Sequence, residues 1–176
     1  DLVDRHQPGR PTLPTQEISI DTKRIFAPLN PHHINQAADI DWLKRKLDAG
    51  ADEALTQFFF EADTFFRFRD ACQRVGIDGD RLTPGILPIE NWKGVTRFAE
   101  RCGTAVPVWL IDAFEKAERD GRQDLLATAI CSELCSDLLE GGVNALHFYT
   151  LNRPELTRDV CHALGVVPRA RLQNVA

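Results

Sequence analysis

What limits the fold most is a repeated alternation: a short apolar, β-prone run empties at once into an amphipathic helix. The last repeat shows it best. Residues 145–153, Ala-Leu-His-Phe-Tyr-Thr-Leu-Asn-Arg, open apolar and turn polar within one strand length. Pro154-Glu155-Leu156-Thr157 then reads as a helix start, because the fixed φ of proline fits the first helical turn. Tyr149, Asn152 and Arg153 therefore fall where a strand meets a helix, and parallel α/β folds hold their ligands at such junctions.

The same design runs back through the chain. Residues 1–16 carry Pro8, Gly9, Pro11 and Pro14 and read as a loop or the remnant of an upstream segment. Residues 17–20 are a short strand candidate, and 21–35, with Pro28 and Pro31, read as irregular. Ile40, Leu43 and Leu47 repeat at helical spacing, with Asn35 or Asp39 as cap and Gly50 as stop. A strand over 54–60 leads to a helix over 61–75. A proline-bounded strand over 82–88 leads to helices over 90–102, 107–117 and 122–139. The strand near 145 leads to a last helix over 155–164, and 169–176 is a tail.

These strands lack polar alternation, so the pattern predicts a parallel sheet buried on both faces. About four strand–helix units are present, half of the eight that close a barrel of about 250 residues. An open, doubly wound sheet is the alternative. No Gly-x-Gly-x-x-Gly follows any strand, which argues against a dinucleotide site of the Rossmann kind.

Composition excludes several function classes. A net charge of −5 removes generic attraction to nucleic acid or anionic membrane. No apolar run approaches the roughly 20 residues of a membrane span, and the N-terminus lacks signal-peptide order. The five cysteines show no Cys-x-x-Cys or zinc spacing and read as small buried hydrophobes in a reducing cytoplasm. His32, His33 and His147 could suggest a metal hydrolase. Adjacent His32 and His33 diverge, no carboxylate sits at ligand spacing, and His147 lies inside a strand, so no metal site is expected.

Four separated motifs now carry a resemblance: Thr56-Gln57-Phe58-Phe59-Phe60, Phe66-Arg67-Phe68-Arg69-Asp70, Pro84-Gly85-Ile86-Leu87-Pro88 and residues 147–153. In this order they resemble methylenetetrahydrofolate reductase over 17–168. The resemblance implies an α/β fold of the (βα)8 TIM-barrel type, with this chain supplying strands five to eight, a half-barrel. It implies an FAD enzyme that passes hydride from NADH or NADPH to the flavin, then to 5,10-methylenetetrahydrofolate.

Carried over residue by residue, the resemblance makes Gln57, Phe98, Tyr149, Leu151 and Arg153 the folate wall. An amide such as Gln57 can donate and accept along a pterin edge. Arg153 would face the glutamate tail, since its planar fork suits a carboxylate. Read from the residues alone, Gln57 is a strand-end amide bonded to a loop, Phe98 is a core residue of its helix, and Arg153 is a helix-start cation in solvent.

For FAD the resemblance implies Asp39 at the ribose and Arg45 and Lys46 near the diphosphate. Their plainer reading is a solvated helix face. Ala51 matches a small residue where this helix packs on the barrel. The sequence departs from the family at Phe26, where a flavin-contacting tyrosine is usual, and at Asn30, in place of a histidine. Trp42 replaces a polar flavin contact, and Gly94 stands where a folate-contacting glutamine is often found. The family's catalytic acids, a glutamate on strand one and an aspartate after strand four, match no residue here and are expected upstream. The chain is then expected to be part of a longer reductase, or to pair with another half or with itself as a homo-oligomer. A non-catalytic half-barrel that keeps the folate wall as a binding or scaffold module is the second functional reading.

Overall fold

The computed structural model describes residues 26–29 and 36–166. The candidate strand over 17–20, Asn30, Asn35, His32, His33 and both terminal segments lie outside the described residues. Among the described residues there are four strands: β1 (Phe26–Leu29), β2 (Glu53–Phe58), β3 (Leu82–Ile86) and β4 (His147–Phe148). Six α-helices accompany them: α1 (Gln36–Asp48), α2 (Ala62–Arg74), α3 (Trp92–Cys102), α4 (Val108–Arg119), α5 (Gln123–Glu140) and α6 (Glu155–Ala163). None of them is long and apolar enough to cross a membrane.

Every strand pair is parallel and the order is β1-β2-β3-β4. That order contains no reversal among the described strands. A doubly wound sheet reverses its strand order partway to put helices on both faces. Sequential order with right-handed crossovers puts every connecting helix on one face. The doubly wound alternative is therefore excluded for the described sheet.

One-sided winding also corrects the expectation of strands buried on both faces. β2 alternates: Ala54, Thr56 and Phe58 are buried, while Glu53, Leu55 and Gln57 are half-buried. β3, by contrast with β2, is buried throughout. A second correction concerns residues 21–35. Phe26–Leu29 is a strand within that supposedly irregular stretch, paired from Phe26↔Glu53 to Leu29↔Thr56. Pro28 hid it, because proline cannot donate to a ladder and is confined to edges, which is where β1 lies in this sheet.

The covered face holds the core. Phe58, Phe59, Phe65, Phe68, Phe114, Leu43 and Leu138 are almost wholly buried, each contributing about 1.5–3 kcal/mol by burial. Trp92 stacks on Phe114 at 4.6 Å and Phe59 on Phe65 at 5.9 Å. Arg81 ties the turn after α1 to the sheet by donating to the carbonyls of Asp52, at 2.9 Å, and Ala51. None of the five cysteines forms a disulfide.

Candidate functional site

The carboxyl ends of β3 and β4, together with α3, enclose an open cleft of about 520 Å³. Its wall includes Glu90, Gly94, Phe98, Tyr149, Leu151 and Arg153. Four of the five residues assigned to the folate wall thus line one cavity. Gln57 does not line it, although β2 ends on the same rim. Its side-chain oxygen folds back to accept from the backbone N–H of Phe58 at 3.2 Å.

A knot of buried and half-buried hydrogen bonds builds the rim. The Tyr149 hydroxyl crosses β3 and donates to the Thr56 carbonyl on β2 at 2.9 Å. The Tyr149 backbone N–H donates to the Ile86 carbonyl at 2.8 Å, and the Gly85 N–H donates to the Thr56 hydroxyl at 2.9 Å. The β2–β3 register shifts between Leu55 and Phe58, which frees the Thr56 carbonyl for the tyrosine. Gly85 is needed beneath this crossing, because a Cβ there would overlap both the Thr56 carbonyl and the Tyr149 ring. Burial, reinforced by nearby Cys102, pushes the Tyr149 hydroxyl above its usual pKa. It therefore stays protonated and able to donate.

β4 is only two residues long, much shorter than the 145–153 stretch suggested. The chain turns instead. Leu151 has φ 48° and Asn152 φ 63°, and the Arg153 N–H donates to the Thr150 carbonyl at 2.8 Å. Two consecutive positive φ values with this hydrogen bond make a type I′ turn. A left-handed leucine costs about 1–2 kcal/mol, and Leu151, 60% exposed, recovers little of that by burial. Strain of this kind concentrates at ligand-holding positions. The turn carries Arg153 to the cleft mouth, where its Nη1 lies 3.7 Å from Glu90 Oε2. Arg153 is thus mostly exposed but has a partner, which the solvent-arginine reading lacked.

On the opposite side of the cleft, Asn91 caps α3 by accepting from the Gly94 N–H at 3.0 Å. This brings Phe98, about two turns on from the cap, into the wall. Phe98 is half core and half cleft: one face stacks on Phe58 at 5.4 Å and 15°. Sequence reasoning passed over Glu90. Its only sequence signal was an acid next to a helix cap, which usually means favourable contact with the helix dipole. One oxygen of Glu90, Oε1, is buried with no hydrogen-bond partner.

The residues assigned to FAD are arranged differently. Asp39 lies in the first turn of α1, not at its cap, and is half-buried. Trp42 is 52% exposed, with the Arg45 guanidinium 5.3 Å from its ring centroid. Arg45 also pairs with Asp41 at 2.7 Å. Lys46 is half-buried in the last turn. Phe26 begins β1, where only the backbone is described, and Ala51 is buried in the turn after α1. His147 is half-buried, edge-on to Tyr149 at 4.8 Å. Among the described residues no group of His, Cys, Asp or Glu could hold a metal ion.

Comparison with known proteins adds the following. The family model described as methylenetetrahydrofolate reductase matches residues 21–165. The chain is 40% identical over 144 residues to 5,10-methylenetetrahydrofolate reductase of Escherichia coli, covering 81% of this chain and 48% of that protein. It is 36% identical over 139 residues to methylenetetrahydrofolate reductase (NADH) 1 of Arabidopsis thaliana, covering 78% of this chain and 23% of that protein. A solved structure of an uncharacterized Clostridium thermocellum protein that binds 5-methyl-5,6,7,8-tetrahydrofolic acid aligns at TM-score 0.49 and 15% identity. That alignment covers 80% of this chain and 52% of the other. The chain spans about half the length of the bacterial relatives it matches.

Proposed function

Because the chain belongs to the methylenetetrahydrofolate reductase family, we propose that it forms the folate-facing half of an enzyme that reduces 5,10-methylenetetrahydrofolate to 5-methyltetrahydrofolate. NADH or NADPH is the hydride donor and FAD the carrier. One observation carries this reading: Phe98 and, about fifty residues on, the Tyr149, Leu151 and Arg153 group line one cleft at the carboxyl ends of parallel strands, where such folds bind ligands.

In this reading the residues act as follows. Phe98 and Tyr149 give flat aromatic walls against which a heterocycle or aryl ring packs. Arg153 takes a carboxylate at the mouth. Gln57 reaches the pterin once its amide leaves the Phe58 N–H. The chain orients and binds; among the described residues lining the cleft the one carboxylate is Glu90, which faces Arg153. In this reading proton donation to folate is left to the acids that the family resemblance places upstream. The half-buried row Glu53, Leu55 and Gln57 on β2 supports a half-barrel whose open face is covered by a second half, from the same polypeptide or from a partner copy.

The donor chemistry of α1 fits FAD. Two cations within its last turn suit a diphosphate, and the exposed Trp42 ring offers a stacking face. Asp39, Arg45 and Lys46 would hold the adenosine diphosphate end. Bound flavin supplies hydride transfer, and the protein supplies its position.

The test is a visible flavin spectrum of the purified full-length protein, bleached by NADH or NADPH and restored by 5,10-methylenetetrahydrofolate. A colourless protein that takes up no added FAD and still binds a folate would favour the second reading, a non-catalytic binding module. That the described cleft residues include one carboxylate, Glu90, facing Arg153 is the observation on that side.

A further inference from the structure

Glu90 is the part of the cleft that the family resemblance leaves without a role. Its backbone is fixed: its N–H donates to the Pro88 carbonyl at 3.1 Å, and Asn91 beside it caps α3. Its carboxylate is poorly satisfied. An ionised carboxylate offers about four acceptor sites. Here Oε1 is buried with no partner, and Oε2 has one long contact, 3.7 Å, to a guanidinium that is 66% exposed. A pair so open to solvent contributes little to stability. The helix dipole accounts for an acid at this position but not for an oxygen left without a donor.

We infer that Glu90 and Arg153 act as a two-point clamp for an amide N–H and a carboxylate borne on the same carbon, the group that joins an aroyl ring to glutamate. Arg153 takes the carboxylate. Glu90 releases Arg153 and accepts the amide N–H, its flat carboxylate turning to present either oxygen. The aryl ring then lies along the wall formed by Phe98 and Tyr149. The clamp also selects against competitors: a dicarboxylate lacking the N–H brings its charge against Glu90 with nothing to compensate. This rests on the folate reading and makes it more specific, naming the aroyl-glutamate link as the recognised element.

The test uses two small probes on the full-length protein, N-benzoyl-L-glutamate and the ester O-benzoyl-2-hydroxyglutarate, titrated by calorimetry. They differ only in N–H against oxygen. The native protein is expected to prefer the amide by about tenfold or more, the scale of one hydrogen bond to a charged group. Glu90→Ala should bring that ratio close to one, and Glu90→Gln, which keeps an acceptor oxygen and protects against loss of fold, should leave it at about threefold. A ratio near one in the native protein, or a preference that survives Glu90→Ala, overturns the clamp and leaves the folate reading standing. Failure of both probes to bind the native protein overturns both.

Discussion

The rim between β3, β4 and α3 holds its side chains by buried atoms, whereas α1 carries its charges in solvent. At the rim, Tyr149 is tied to Thr56 across Gly85, and Phe98 is stacked on Phe58. On α1, Arg45 rests on Trp42 and Asp41, and Lys44 reaches Asp48 at 3.5 Å, all within one helix. Pairs of that kind are worth about 0.3–0.5 kcal/mol. The rim is thus shaped before any ligand arrives, and the α1 face takes its final arrangement from whatever binds it. Substitutions should separate stability from binding differently in the two regions.

The most severe way to break the rim is Gly85→Ala. Its Cβ would meet backbone on one side and an aromatic ring on the other, neither a flexible chain end. A loss of about 3 kcal/mol is expected, the upper range of overpacking costs, read as a lower urea midpoint. Tyr149→Phe is milder. It leaves the buried Thr56 carbonyl without its donor and should cost about 1–2 kcal/mol.

The tyrosine also gives the rim a pH signature. Its folded pKa is raised above the ordinary 10.0 by burial. The resulting stability is complete below pH 10 and is lost as pH climbs through the raised value. Urea midpoints measured toward alkaline pH should fall in the native protein, and that part of the fall should vanish in Tyr149→Phe.

Arg153→Ala sharpens the contrast from within the rim. Being mostly exposed, the residue should change stability by under about 0.5 kcal/mol while weakening N-benzoyl-L-glutamate about tenfold. Smallest of all in stability are Trp42→Ala and Arg45→Ala on α1, each within about 0.5 kcal/mol. Their effect should appear as faster loss of flavin on dilution, followed by the protein's visible absorbance.

Much of this architecture could be read from residue order. Helices α2 to α6 fall within a residue or two of their expected bounds, because Gly76, Gly103 and Gly141 stop them and Pro107 and Pro154 open two of them. The strand at Phe26–Leu29 was not legible, since Pro28 reads as a breaker until a neighbouring strand supplies the ladder. The half-open face of β2 could not be foreseen either: apolar content says that a strand is buried, and only strand order says on which side. At the cleft, Phe98, Tyr149, Leu151 and Arg153 were found through family motifs and not through local chemistry. Glu90 was missed because an orphaned oxygen is a fact of three dimensions. The closeness of Gly85 to Tyr149 was equally silent, since Pro-Gly in a sequence signals a turn and not a crossing.

Gly94 has one more consequence. It sits in the first turn of α3 and lines the cleft, yet the nearest atoms a Cβ there would meet are those of Asn91, at ordinary distances from 3.5 Å. A helical glycine gives up about 1 kcal/mol relative to alanine, so this position trades robustness for room. It is an adjustable aperture: a library varied at this one codon should yield hardier proteins whose tolerance for bulky ligands narrows with each added atom.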